Sequence, residues 1–306
     1  MLGSLLIANC NEKTYPAKFT VQVVDEADQP ISNVHLKTGT FIRWQPGEAF
    51  GKDIWEGPDK QVTDEEGFVS FQYPSLRGVF GVIVTPLPEG YYRSSWPNYK
   101  FEKVENGQWT PENPMIKYVL KKKRNPIALY AKSLYEGLLV PKLGEKCGYD
   151  FQLGDWVAPH GKGKTIDIYF TVTFKKEENG DFDSSIEVTF PNEGDGMIYF
   201  EHNLREGSEF ASDYFAPENG YKKRKLLRRF QKDGKITSEI NRQTGNYYLR
   251  LRTVLNDKGE IESANYAKIY GDFMYFTYYF NPTPNDRNIE FDASKNLFKK
   301  EKIDRP

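Results

Sequence analysis

Residues 19–36 read FTVQVVDEADQPISNVHL, and residues 62–71 read VTDEEGFVSF. In the first run Phe19, Val21 and Val23 alternate with Thr20 and Gln22. Around the second, Val69, Phe71 and Tyr73 alternate with Phe68, Ser70 and Gln72. A period of two puts successive side chains on opposite faces of a pleated strand, so both runs read as half-buried strands. Each is joined to an Asp-rich turn, DEADQP or DEEG. GVFGVIVTP and MIKYVLKK extend the set, with Gly, Pro and Asp between them, and short strands punctuated in this way predict an antiparallel sandwich. The chain holds 20 Tyr and 21 Phe against 4 Met, which points the same way, because flat, stiff side chains pack well on a pleated surface.

A chain of 306 residues is long enough for two cores. KKKRNP, at 121–126, follows the last strand of the first set and places Pro126 where strand pairing would break. The expected organisation is therefore a leader-like stretch at 1–14, a first domain at 15–123 and a second β-rich domain at 124–306. In the second domain, NYYLRLRTVL alternates Tyr247, Leu249 and Leu251 with Tyr248, Arg250 and Arg252, which predicts one buried face and one cationic, wet face. NDKG makes a hairpin turn, and ESANYAKIYGDFMYFTYYF runs back beside it. Phe273, Tyr275 and Tyr279 fall on one side of that return run, and Met274, Phe276, Tyr278 and Phe280 on the other. Both faces are apolar, so the strand belongs in the middle of the structure.

VQVVDEADQPISNVHL together with VTDEEGFVSF resembles the carboxypeptidase regulatory-like, or transthyretin-like, Ig-like β-sandwich family. In that family a D-x-x-x-x-P-I/V turn is followed by a T-D-x-x-G-x-x-x-F strand. The likeness covers residues ~15–123 and implies a seven-stranded sandwich used as an accessory, adhesive or binding module on secreted bacterial proteins, with no catalytic residues to carry over. One departure is the long stretch between Gly39 and Thr63, which requires a large loop or an extra strand pair at one edge. The segments GYDFQLGDWVAPHGKGKTIDIYFTVTF, FPNEGDGM and FAPENGY are similar to an uncharacterised β-rich domain of hypothetical secreted bacterial proteins. That likeness implies no function. The fold expectation is thus all-β in two domains, a transthyretin-like sandwich followed by an antiparallel sandwich or jelly-roll-like domain.

Charge excludes a basic module. Before the boundary there are 14 basic and 15 acidic residues, and after it 28 of each, whereas a protein that neutralises several phosphates needs a positive face. No nucleic-acid partner is expected. The local exception is YKKRKLLRRF at 221–230, which reads as either a grip for an acidic polymer or lipid headgroup or as a solvated face. No window approaches the ~18 apolar residues of a membrane helix. MLGSLLIANC reads as the tail of a signal sequence ending in a lipobox. Ile7 and Ala8 suit that reading, while Asn9 and the lack of a positive start do not, and Cys10 is the candidate lipid anchor. With Cys10 and Cys147 alone, no disulfide framework or thiolate-rich metal site can form, although one long-range bridge between the two is conceivable.

Several motifs dissolve on inspection. HGKGKT at 160–165 ends like a phosphate loop, but Ala158 stands where the first glycine belongs and a strand follows where a helix should open. NGDFDSSIE at 179–187 places Asn179, Asp181, Asp183 and Ser185 at alternate positions like the start of a calcium loop, yet lacks the glycine and distal glutamate, so a polar hairpin tip is the simpler reading. His35, His160 and His202 are scattered, with no helical i, i+4 pair and no Cys partners. No nucleophile elbow, zinc-protease or Cys/His constellation is present. Neither a metal nor a cofactor is expected, and the chain does not read as an enzyme. Trp44 and Trp55 fall in the long stretch after Gly39, and Trp96 and Trp109 in YYRSSWPNYKFEKVENGQWTPENP. Loop tryptophans offer flat faces to sugars or proteins at little entropic cost, and these four are the candidate ligand-binding residues. The competing reading is a satellite cluster closing the sandwich edge. The function expected is that of a secreted or cell-envelope binding or structural protein, partnered by a polysaccharide or an envelope protein, with a carbohydrate-binding accessory protein and a hydrolase with unrecognised acids as alternatives.

Overall fold

The computed structural model describes residues 13–45, 52–95, 98–134, 139–202, 207–240 and 245–306, with the backbone alone for 40–45, 52–58 and 98. The chain is all-β and divides into two compact units, one of residues 1–123 with 205–209, the other of 124–204 with 210–306. Among the described residues no helix is long and apolar enough to cross a membrane.

The first unit carries β1 (Tyr15–Asp25), β2 (His35–Gln45), β3 (Lys52–Val62), β4 (Phe68–Leu76), β5 (Val79–Val84), β6 (Asn98–Lys100), β7 (Lys103–Glu105), β8 (Gln108–Thr110) and β9 (Met115–Leu120). A three-stranded sheet runs β4-β1-β9, with β1 antiparallel to β4 and parallel to β9. A four-stranded sheet runs β3-β2-β5-β6, and β7 with β8 forms a small hairpin. The alternation in β1 has the expected result: Phe19, Val21 and Val23 are buried with Phe71 and Tyr118 of their own sheet and with Leu36, Phe80 and Val82 of the other. The stretch after Gly39 is a strand pair, β2 with β3, bulged at Thr38/Thr40 and at Phe41/Arg43.

The two Asp-rich turns are parts of one knot. Asp25 Oδ1 accepts the amides of Ala27 and Gln29, each at 2.9 Å. Asp64 Oδ1 accepts those of Glu66 at 3.1 Å and Phe68 at 2.7 Å. Between them, the Val23 amide donates to Gly67 O at 2.8 Å and the Ile31 amide to Val23 O at 3.0 Å. Gly67 has φ +75°, and a Cβ there would meet Val23 O at 2.5 Å, so only glycine fits. Thr63 Oγ1 completes the join, accepting from the Val34 amide and donating to Ile31 O.

The second unit carries β10 (Tyr130–Ser133), β11 (Lys146–Asp150), β12 (Asp155–Trp156), β13 (Ile168–Lys176), β14 (Phe182–Thr189), β15 (Gly196–Glu201), β16 (Arg224–Lys232), β17 (Lys235–Ser238), β18 (Gly245–Leu255), β19 (Ile261–Gly271) and β20 (Phe276–Asn281). A five-stranded sheet, β10-β20-β19-β18-β15, packs on a six-stranded one, β12-β11-β13-β14-β16-β17. Phe170, Ile186 and Val188 meet Leu249, Ile269 and Phe276 between them. The opposite face of the five-stranded sheet is also covered, with Tyr248, Tyr266, Tyr270 and Tyr279 packing on Ala216, Ile289 and Phe291. All six residues of β20 are buried, as its two apolar faces require.

Two readings of this region need correction. The run from Glu262 to Phe280 is two strands, not one. Gly271 at φ +107° and Asp272, whose Oδ1 accepts the Met274 and Tyr275 amides, turn the chain between them. Tyr248 and Arg250 do not form a wet face either: both are buried, because that side of the sheet has its own cover. Arg250 donates to Gly194 O and Glu218 O and lies 4.5 Å from the Tyr221 ring centroid.

Asp25 provides a test of the knot. Burial alone would raise its carboxyl, but the amides of Gln29 and Ala27, with the Lys122 ammonium 3.3 Å away, outweigh it and hold the group below the usual carboxylate value. A depressed pKa stabilises the fold fully above the unfolded value of about 3.9, and this stability is lost as pH falls through the lower folded value. Asp25→Ala is therefore expected to cost about 1–3 kcal/mol at neutral pH. Denaturant titrations at a series of pH values should show the gap between variant and wild type closing in strong acid.

Candidate functional site

The described tryptophans among the candidates lie on strands rather than in loops. Trp44 stands opposite Asp53, and Trp55 opposite Phe41, in the register of the β2–β3 pair. Trp109 sits on β8, with its indole N–H donating to Leu76 O at 2.7 Å. Its ring stacks on Phe101 with centroids 5.9 Å apart and meets Tyr15 edge-on, which places it against the core of the first unit. Trp96 and Cys10 lie outside the described residues.

A dense polar constellation lies in the second unit, and the sequence did not single it out. Asp150 ends β11, and both its oxygens are engaged. Oδ1 accepts the amides of Gln152 and Leu153 at 2.9 and 3.0 Å, and Oδ2 those of Lys164 and Thr165 at 2.9 and 3.0 Å. Asp155 acts likewise, accepting from Trp156 and Lys162. Of the backbone donors of HGKGKT, the amides of Lys162, Lys164 and Thr165 are thus tied to carboxylates of the chain itself and those of His160 and Gly163 to its carbonyls. Gly161 and Gly163 permit this close wrap, since a Cβ at 161 would meet Trp156 O at 2.3 Å.

Arg252 bridges the sheets at this point. A bulge after Leu251 puts it at φ +54°, an uncommon conformation for a long side chain. Its Nε and Nη2 reach the two oxygens of Asp167 at 2.7 and 3.1 Å, and Nη1 reaches Gln152 Oε1 at 2.7 Å. Nη2 also lies 3.4 Å from Asp150 Oδ1, and the guanidinium sits over the Phe280 ring. Burial pushes the Asp167 carboxyl up, and the hydrogen bonds and charge of Arg252 pull against that. Every oxygen of this carboxylate pair has a donor within the protein, so the cluster locks a loop to two sheets. Only the spacing of Asp150 and Asp167 around a glycine-rich loop hints at it in the sequence.

The remaining motifs resolve into local structure. Arg224 pairs with Glu187 at 2.5 Å, and Arg228 makes a two-pronged pair with Asp183, so two of the basic residues of 221–230 are matched across strands. Asn179 and Asp181 close the β13–β14 turn on each other, and Asp181 also accepts the Asp233 amide. His35 opens β2, His160 lies in the loop after β12, and His202 follows β15. Among the described residues no group of three His, Cys, Asp or Glu is placed to hold a metal. Cys147 is a buried free thiol on β11. Lys268 on β19 is fully buried, its Nζ 3.2 Å from Ser212 Oγ and between the rings of Phe210, Tyr270 and Tyr279 at 4.3 to 4.9 Å.

No protein-family model matches the chain, and the search of curated proteins returns no match. Solved structures give weak likenesses. The 3-chlorocatechol 1,2-dioxygenase of Rhodococcus opacus is 16% identical over 40% of this chain and 71% of that one, with a TM-score of 0.26. The shaft pilin SpaA of Lactobacillus rhamnosus is 10% identical over 83% of this chain and 92% of its own, at 0.24. BcpA, the major pilin subunit of Bacillus cereus, is 8% identical over 87% and 96%, at 0.25. TM-scores this low do not establish a shared fold, and neither dioxygenase activity nor a place in a pilus passes from them to this chain.

The Arg252 cluster makes a prediction of its own. Arg252→Leu leaves two buried carboxylates without their cation and should cost about 3–5 kcal/mol. Adding Asp167→Asn, which removes one of those charges, should recover part of the loss. Paired urea titrations would show it, and equal stability of the single and double variants would mean that the cluster is not coupled.

Proposed function

We propose that the chain is a non-enzymatic protein of the cell envelope or extracellular space, built from two β-sandwich binding or structural modules. The observation that carries this reading is the engagement of Asp150, Asp155 and Asp167. Each of these carboxylates accepts hydrogen bonds from backbone or Arg252. Such groups hold loops in place, and their commitment to donors of the chain itself favours a scaffold over the hydrolase alternative. The first unit, residues 15–123, is read as a carboxypeptidase regulatory-like, transthyretin-like module. Its seven strands in two sheets, the parallel pairing of β1 with β9 and the knot of the two Asp-rich turns support that assignment. Cys10 is its lipid anchor in this proposal.

The ligand-binding surface is placed on the β2–β3 pair, where Trp44 and Trp55 stand, with Trp96 as a further contact. The ligand is a polysaccharide or an envelope protein. Co-sedimentation with insoluble polysaccharides and with envelope fragments tests this. The double variant Trp44→Ala, Trp55→Ala is expected to lose about tenfold in binding, as for packed aromatic anchors, with its melting temperature nearly unchanged. Trp109→Ala should do the reverse and cost about 3 kcal/mol of stability. Binding untouched by the double variant, or release of reducing sugar by the wild type, would overturn the reading. Fractionation of cells expressing the chain should place it with membranes in a form that Cys10→Ser releases.

A further inference from the structure

β17 forms one edge of the six-stranded sheet. The turn between β16 and β17 is the two-residue Asp233–Gly234, with φ +50° and +75°, and it makes Lys232 and Lys235 the closing pair of the hairpin. Hydrogen bonding alternates along an antiparallel pair, so the N–H and C=O groups of Lys235 and Thr237 point to β16. Glu239 continues that parity, its amide donating to Arg228 O at 2.9 Å. The main-chain groups of Ile236 and Ser238 therefore point away from the sheet. All four residues of β17 are exposed, Ile236 to 51%. The two edge strands of the five-stranded sheet each carry a partner at one point. The Asn296 side-chain amide both donates to and accepts from Ala131 on β10, and Lys222 exchanges hydrogen bonds with Met197 on β15.

We propose that β17 pairs antiparallel with β17 of a second copy of this chain, Thr237 facing Thr237 on the two-fold axis. This register matches the outward groups, Ile236 of one copy exchanging hydrogen bonds with Ser238 of the other. It also sets Lys235 opposite Glu239 of the second copy, twice by symmetry, in the non-hydrogen-bonded positions where facing side chains approach most closely. A slip of two residues in either direction separates both charge pairs. A lysine on an edge strand ordinarily deters pairing, and here it admits only a partner that brings an acid to the same position. The occupant is thus a second copy rather than an unrelated strand.

The test is sedimentation equilibrium of the full chain over a concentration series. A monomer–dimer equilibrium that weakens with salt is expected. Ile236→Pro removes an outward N–H without touching the β16 ladder, and it should raise the dimer dissociation constant by at least about tenfold with the melting temperature held. Lys235→Glu, which sets two acids face to face, should also weaken association. Combining it with Glu239→Lys should restore it, even though that change gives up the Glu239 hydrogen bond to the Arg228 amide. A chain that stays monomeric throughout, a dimer indifferent to Ile236→Pro, or a double variant that fails to recover would each overturn the proposal.

Discussion

Side chains that stand in for strands hold both units together. A sandwich must carry its chain around the ends of two sheets, where backbone amides lose the ladder and must still be satisfied. In the first unit Asp25 and Asp64 each take two such amides. In the second, Asp150 takes four, Asp272 takes those of Met274 and Tyr275, and the two oxygens of Glu290 take those of Arg124 and Asn125. Short acidic side chains suit this task because a carboxylate offers several lone pairs in a small volume and its charge strengthens each bond. Loops fixed in this way keep their shape without an α-helix or a disulfide among the described residues.

The second unit adds a constraint of its own. Its five-stranded sheet is covered on both faces, so residues that strand alternation would send to water are enclosed. Arg250 and Lys268 are the result. Burying a cation is costly unless partners replace its water, and both find carbonyl or hydroxyl oxygens together with aromatic faces. The many Tyr and Phe residues of this half of the chain thus fill two layers of core and also provide the surfaces against which buried cations rest.

Strand alternation made the fold class legible, and the DEADQP and DEEG turns marked where the first sandwich folds back. That reading worked because period-two alternation and Asp or Gly at turns are local signals. It faltered where the deciding contact lies far along the chain. Tyr248 and Arg250 alternate like a wet face, and only the cover supplied by residues near 216 and 289 encloses them. Trp44 and Trp55 looked like loop residues because bulges at Thr38/Thr40 and Phe41/Arg43 interrupt the alternation of a long strand pair. The Arg252 cluster joins groups 85 and 102 positions apart, and no spacing rule reaches that far. The Asp272 turn was hidden because apolar residues on both sides continue the strand pattern across it.

Where recognition could reside follows from what these internal bonds leave over. On the six-stranded sheet, Arg224 and Arg228 are matched by Glu187 and Asp183, and Lys146 lies over the Tyr169 ring, so the face is patterned in charge rather than uniformly basic. A face of that kind does not draw a polyanion from a distance, since long-range steering needs an excess of one sign. It discriminates instead at contact, through the match of individual charges and hydrogen bonds. The strand pairing proposed for β17 is recognition of this kind, a matter of register rather than of net charge.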